Sequence, residues 1–167
     1  MDASQLKFIL EELQFSAALP PEVLNQLAEE STFERVSAGT VIFREGNQND
    51  NLYLVRSGRL ALEMNVPGRG VVRILTVGPG EIVGWSSLLG QGKMTASAVA
   101  VKDTELIVAP ADKLQAFCES NRDFGYHLMH RMADALSMRL LATRLQLLDL
   151  FADAPAPVPA SKSEGQA

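Results

Sequence analysis

The sequence predicts a mainly β domain flanked by helices, and two features carry that reading. Between residues 32 and 110, short apolar runs with a two-residue alternation are cut apart by glycine-rich turns, the pattern of an antiparallel sandwich or barrel. Before and after that stretch, apolar residues recur at intervals of three and four, the period of amphipathic helices. Size agrees: 167 residues, 47% of them apolar, suffice for one domain with a real core and hardly for two.

Leu6, Ile9, Leu10 and Leu13 fall on one face of a first helix, with Ser4 as its expected N-cap. Pro20-Pro21 breaks that run and opens a second helix carrying Val23, Leu24 and Leu27. Strands are expected at residues 40–43, 52–57, 59–66, 71–77, 95–101 and 105–109. Residues 59–66 alternate most regularly, and Ser57-Gly58, Pro67-Gly68-Arg69-Gly70 and Gly78-Pro79-Gly80 supply turn chemistry. A short helix over residues 111–119 then leads through Asn121-Arg122-Asp123 into a long one.

That helix, residues 121–151, would extend roughly 45 Å at about 1.5 Å per residue. A body of this size has a radius of gyration of roughly 15 Å, so the helix is expected to project beyond it. It carries two apolar stripes. Ala133, Leu136, Leu140, Thr143, Leu147 and Leu150 repeat like a coiled-coil seam, and Met138, Leu141, Leu145 and Leu148 form the other. One stripe can pack on the domain, while the other needs a partner, most simply a second copy in a homodimer. The domain plan is therefore an N-terminal helical extension (1–19), a β-rich body ending in the long helix (20–151), and a tail (152–167). The tail is Ala/Pro-rich and expected to be extended and disordered.

Several function classes are disfavoured by composition. A net charge of −5 makes the chain a poor grip for phosphate backbones. One cysteine, Cys118, forms no internal disulfide, and no secretory signal or membrane-length apolar run is present, so a cytoplasmic protein away from the membrane is expected. The only histidines, His127 and His130, lack a third metal ligand. Residues 78–84 superficially resemble a dinucleotide fingerprint, but the spacing is one residue too long and no βαβ unit surrounds them. No enzyme signature remains.

The informative stretch is residues 80–100. Gly84 opens a short amphipathic segment whose N–H groups and dipole, turned outward, would favour an anion, and Ser86, Ser87 and Thr95 add hydroxyls. A tight crossover with solvated polar residues fits these features as well. Together with Gly39-Thr40-Val41-Ile42-Phe43-Arg44-Glu45-Gly46 and Leu52-Tyr53-Leu54-Val55-Arg56-Ser57-Gly58-Arg59-Leu60, the stretch resembles the cyclic-nucleotide-binding domain. This is the sensor of catabolite activator proteins, cyclic-nucleotide-dependent kinases and gated channels. The resemblance implies an eight-stranded β-roll (a jelly roll), a phosphate-binding cassette at residues 80–100, and a long C-terminal helix that serves dimerisation in the bacterial regulators. It places the candidate ligand-binding residues at Gly84, Trp85, Ser86, Ser87, Leu88, Lys93, Met94, Thr95, Ala96 and Arg139.

Two departures from the family pattern bear on the ligand. Trp85 stands where members that bind cyclic AMP carry an acid that accepts from the ribose 2′-OH, and an indole only donates. Met94 stands in place of the arginine that pairs with the cyclic phosphate. Losing a charge-assisted hydrogen bond costs about 1.5–3 kcal/mol, so unmodified cyclic AMP recognition is not expected. Lys93 or Arg139 offers compensation, by charge or by stacking on a base. Trp85 could fill the pocket itself, as a built-in substitute for ligand. With sixteen residues beyond Phe151, no DNA-reading helix-turn-helix is expected on this chain. The expected function is a non-enzymatic regulatory sensor for a cyclic nucleotide or other small anion, signalling as a homodimer to a protein partner. The alternative is a ligand-free adaptor.

Overall fold

The computed structural model describes residues 1–90 and 92–152. Gln91 and the predicted tail beyond Ala152 lie outside the described residues. Two helices come first, α1 (Ala3–Glu12) and α2 (Pro21–Glu30). The N-cap of α1 is Asp2 rather than Ser4. Its side chain accepts from the Gln5 amide at 2.9 Å, and the Gln5 side chain accepts from the Asp2 amide at 3.1 Å. This reciprocal box satisfies two amide donors at the start of the helix and puts Ser4 inside its first turn.

The sheet comprises β1 (Thr32–Val36), β2 (Val41–Phe43), β3 (Asn51–Val66), β4 (Gly70–Val77), β5 (Ile82–Val83) and β6 (Ser97–Pro110), with α3 (Ser86–Leu89) between the last two. All pairings are antiparallel, in the order β1-β6-β3-β4, with β2 on β6 and β5 on β3. Six strands stand where eight were expected, because β3 and β6 each join two of the expected ones. The β3–β6 register slips around Ser57 and Arg59, where the turn at Ser57-Gly58 was expected. There Gly58 passes so close to β6 that a Cβ on it would lie 2.5 Å from Thr104 Cα and 2.6 Å from the Asp103 carbonyl oxygen. The chain bends without leaving the ladder, and split at these bends the six strands become the eight segments of a roll.

Both faces of the central strands are buried. Leu52 and Leu54 of β3 and Ile107 and Ala109 of β6 join a cluster built on α1, α2, α3 and the following helices α4 (Ala111–Ser120) and α5 (Arg122–Ala152). The alternate residues Tyr53, Val55, Leu106 and Val108 enter a second cluster inside the roll, with Phe43, Leu60, Val77, Val83, Met94, Ala98 and Ala100. Alternation therefore sorts one apolar run into two cores.

The chain divides into two compact units, Met1–Ala135 and Leu136–Ala167. In the first, Phe124 and Leu128 of α5 are fully buried, and Arg131 donates to the carbonyls of Phe15 (2.8 Å) and Gln14 (2.6 Å), the link between α1 and α2. In the second, Met138, Leu140, Leu141, Leu145, Leu147 and Leu148 are all exposed. No described helix is long and apolar enough to cross a membrane.

Where β1, β3 and β6 meet, Glu105 accepts from Arg35 Nε at 3.0 Å and from Ser57 Oγ at 3.1 Å, and lies 3.2 Å from Arg56 Nη1. Desolvation raises its pKa, but the hydrogen bonds from Ser57 and Arg35 and the two arginine charges outweigh it, so the net shift is downward. A carboxyl depressed in the folded state stabilises above its unfolded pKa, about 4.3, and that contribution is lost as pH falls through the folded value. In urea unfolding, the gap between wild type and Glu105→Gln is expected to be widest near neutrality and to close in acid. A gap independent of pH would show that the charge contributes nothing.

Candidate functional site

The segment from Gly84 to Ala96 folds back on the loop before β3 as a hydrogen-bonded strap. Gly46 N donates to Met94 O (2.8 Å), Met94 N to Asn47 O (3.0 Å) and Asn49 N to Gly92 O (2.9 Å), with a bridge between Gln48 and Lys93. Gly84 sits at φ +79°, and a Cβ there would meet the Asn51 carbonyl oxygen at 2.6 Å and Tyr53 Cδ2 at 3.1 Å. Glycine fits because the backbone is left-handed and the space behind it is filled.

Beneath Gly84 lies a pair the sequence reading missed. The Tyr53 hydroxyl donates to Asn49 Oδ1 at 3.0 Å, and Asn49 Nδ2 donates to Asn51 O at 2.6 Å. Both residues are buried, and burial pushes the Tyr53 phenol above its ordinary pKa. In sequence Asn49 is only one polar residue of a turn. The signal available was Tyr53 three residues inside a strand, since a buried hydroxyl needs a nearby partner.

From Ser87 onward, the amides of helix α3 donate within its own turn. Ser87 N donates to Gly84 O (3.0 Å), and Leu88 N and Leu89 N both donate to Trp85 O (3.1 and 2.9 Å). Ser87 is buried and its hydroxyl donates to Gly84 O at 2.6 Å, so this side chain caps its own turn. Ser86 is half-buried, and its carbonyl accepts from Gly90 and Gly92. Leu88 is buried among the helices, and its carbonyl accepts from Gln115 Nε2 at 3.1 Å.

Trp85 and Met94 serve different cores. Trp85 is half-buried against the helical cluster, whereas Met94 is 4% exposed and lies in the cluster inside the roll. The two departures from the family pattern thus pack into two separate cores. Lys93 and Thr95 are exposed and Ala96 is half-buried. Ser97 Oγ accepts from the Glu45 amide at 2.9 Å. Arg139 lies in the second unit, half-buried, where its carbonyl accepts from Thr143 Oγ1 at 2.9 Å. Of the ten candidate residues, those from Gly84 to Ala96 share one strap, and Arg139 belongs to another unit.

The two histidines have aromatic and acidic neighbours. Tyr126 stacks edge-on to His127, with ring centroids 5.2 Å apart, and His130 Nδ1 lies 3.4 Å from Asp134 Oδ2. Among the described residues, no group of three or more His, Cys, Asp or Glu is placed to hold a metal.

A glycine-framed strap with a one-turn helix, closing an antiparallel roll that leads into a long helix, defines a sensor-type β-roll. Residues 33–121, more than half of the chain, match the cyclic nucleotide-binding domain family, and the chain belongs to that family. It is 45% identical over 69 residues to the cyclic AMP receptor protein of Thermus thermophilus, covering 41% of this chain and 32% of that protein. It is 29% identical over 122 residues to a CRP-like cAMP-activated global transcriptional regulator of Mycobacterium tuberculosis, covering 72% and 52%. The match thus spans between a third and about half of the length of these two relatives. A crystal structure of a cyclic nucleotide-binding domain from Methylobacillus flagellatus superposes with a TM-score of 0.75 at 20% identity, covering 93% of this chain and 86% of that one. This likeness concerns the fold.

Proposed function

We propose that the chain is a non-enzymatic regulatory module of cyclic-nucleotide-binding fold. It works in the cytoplasm as a homodimer joined through α5, relays a signal to a protein partner, and does not recognise cyclic AMP in the manner of its relatives. Met94 carries this reading. At the place of the phosphate-binding arginine stands a neutral thioether, buried in the roll among Phe43, Tyr53 and other apolar side chains. A cyclic phosphate brought against that thioether would lose water without gaining the charge-assisted bond that a guanidinium gives, which costs more than one neutral hydrogen bond returns. The exposed leucines of α5 support the dimer.

A second reading, a ligand-free adaptor, is favoured by the hydrogen bonds that close α3 on Gly84 and Trp85. Calorimetric titration with cyclic AMP, cyclic GMP and cyclic dinucleotides separates the two. Under the main reading cyclic AMP gives no micromolar binding and another anion from the panel does. A flat response throughout selects the adaptor. Micromolar cyclic AMP binding would overturn both.

A further inference from the structure

We propose that the groove between α1 and β3 is the docking surface for the protein partner, and that it takes a segment carrying a carboxylate close to a large apolar side chain. This rests on the reading above that the chain relays its signal to a protein, and it names the surface and the chemistry of that partner.

The groove, about 480 Å³ in volume, is lined by Met1, by Gln5 and Phe8 of α1, and by Arg56 of β3. Phe8 is 62% exposed and Met1 55%. Helix α1 buries Leu6, Ile9 and Leu10, and Phe8 is turned about 200° from Leu6 at roughly 100° per residue, where an amphipathic helix carries polar side chains. Met1 and Phe8 thus supply an apolar seat that the core does not use.

The charge beside this seat is unbalanced. Arg35 and Arg56 lie over the ring of Phe33, with their guanidinium carbons 5.4 and 5.7 Å from its centroid. Both turn to one acid, Glu105, which Arg35 meets through Nε and Arg56 through Nη1. Two cations on one carboxylate leave a positive charge in excess. Among the described residues no other acceptor engages either guanidinium, so each keeps N–H donors for a ligand. The acid on the groove, Asp2, already accepts from the Gln5 amide.

A single excess charge suits one carboxylate. A phosphate dianion would bring a second negative charge towards Glu105 and Asp2 with nothing to offset it. Stacking on Phe33 holds both planar forks in place, so pairing with a carboxylate orders little that is not ordered already.

Titration of the full chain with acetyl-Glu-Ala-Leu-Phe-Ala-amide and with its Gln counterpart, followed by heteronuclear NMR, tests this. The acidic peptide is expected to move the amides of Phe8, Ile9, Phe33 and Arg56 with a Kd of about a millimolar, and the Gln peptide to bind roughly fivefold more weakly. Phe8→Ser is expected to weaken the acidic peptide about tenfold and Arg35→Gln roughly fivefold, whereas Val71→Ser, on the exposed face of β4, leaves it unchanged. Phe8 and Arg35 are exposed, so neither substitution should move the melting temperature by more than about 2 °C. Unmoved amides at the groove, or equal binding of the Glu and Gln peptides, overturn the assignment. If the nucleotide panel then finds a ligand, the regulatory reading stands without this surface. A groove that takes the acidic peptide on a chain silent to every nucleotide keeps the surface and assigns it to the adaptor.

Discussion

Met94→Arg is expected to lower the melting temperature of the protein by roughly 10–20 °C, and millimolar cyclic AMP is expected to recover part of that loss in the variant alone. The guanidinium would enter a cluster of Phe43, Tyr53, Val55, Leu60, Val77 and Val83 in which Met94 is 4% exposed. Leaving a charge buried without a partner costs about 3–5 kcal/mol, and each kcal/mol moves a domain of this size by roughly 3–4 °C. A ligand that binds only the folded state stabilises it in proportion to the logarithm of its concentration over Kd, so a phosphate that pairs with the new arginine shows as a rising melting temperature. Differential scanning fluorimetry with and without nucleotide reads both effects. An unchanged melting temperature would mean that position 94 opens to water, and the account of the neutralised cassette would fail with it.

Gly84→Ala has the second large effect. Forcing an L-residue into the left-handed region costs about 1–2 kcal/mol, and the added methyl would sit 2.6 Å from the Asn51 carbonyl oxygen. Overpacking of this kind adds about 1–3 kcal/mol, giving a loss of roughly 2–5 kcal/mol in urea unfolding. Gly39 has a similar φ of +86° with nothing within 4 Å of the missing Cβ, so Gly39→Ala loses the backbone penalty alone. Equal losses at the two sites would show that the Asn49–Tyr53 pair beneath Gly84 yields freely.

Strands β2, β3, β4 and β6 were legible as apolar runs bounded by turn residues, and β1 and β5 were missed. β1, with Phe33 alone as a large apolar residue in Thr32–Val36, has almost no pattern, and the two residues of β5 are too few to show one. Gly58 was read as a turn because sequence records that a glycine is needed without saying whether the chain reverses or a neighbouring strand comes close. The capping box was readable, since Asp2 and Gln5 stand three apart.

At the site the glycine frame and the neutral residue at 94 could be seen in advance, as they depend on residue type. The destination of a hydrogen bond could not. Ser87 was expected to offer its hydroxyl outward, and it donates to Gly84 O instead. Trp85 and Met94 were read as two departures at one site, yet one packs against the helices and the other inside the roll. Both outcomes depend on which side of the strap each residue leaves, and a segment without a fixed period does not specify that.

Arg131 grips the carbonyl of Phe15 across a separation of 116 residues, within a cluster to which both ends of the first unit contribute. As the chain leaves the ribosome, Leu6, Ile9 and Leu10 are made long before Phe124 and Leu128, against which they are finally covered. The opening helices must wait, apolar side outward, through the synthesis of the whole roll. Nascent chains halted before residue 124 should therefore be the ones that chaperones hold and proteases cut near the beginning.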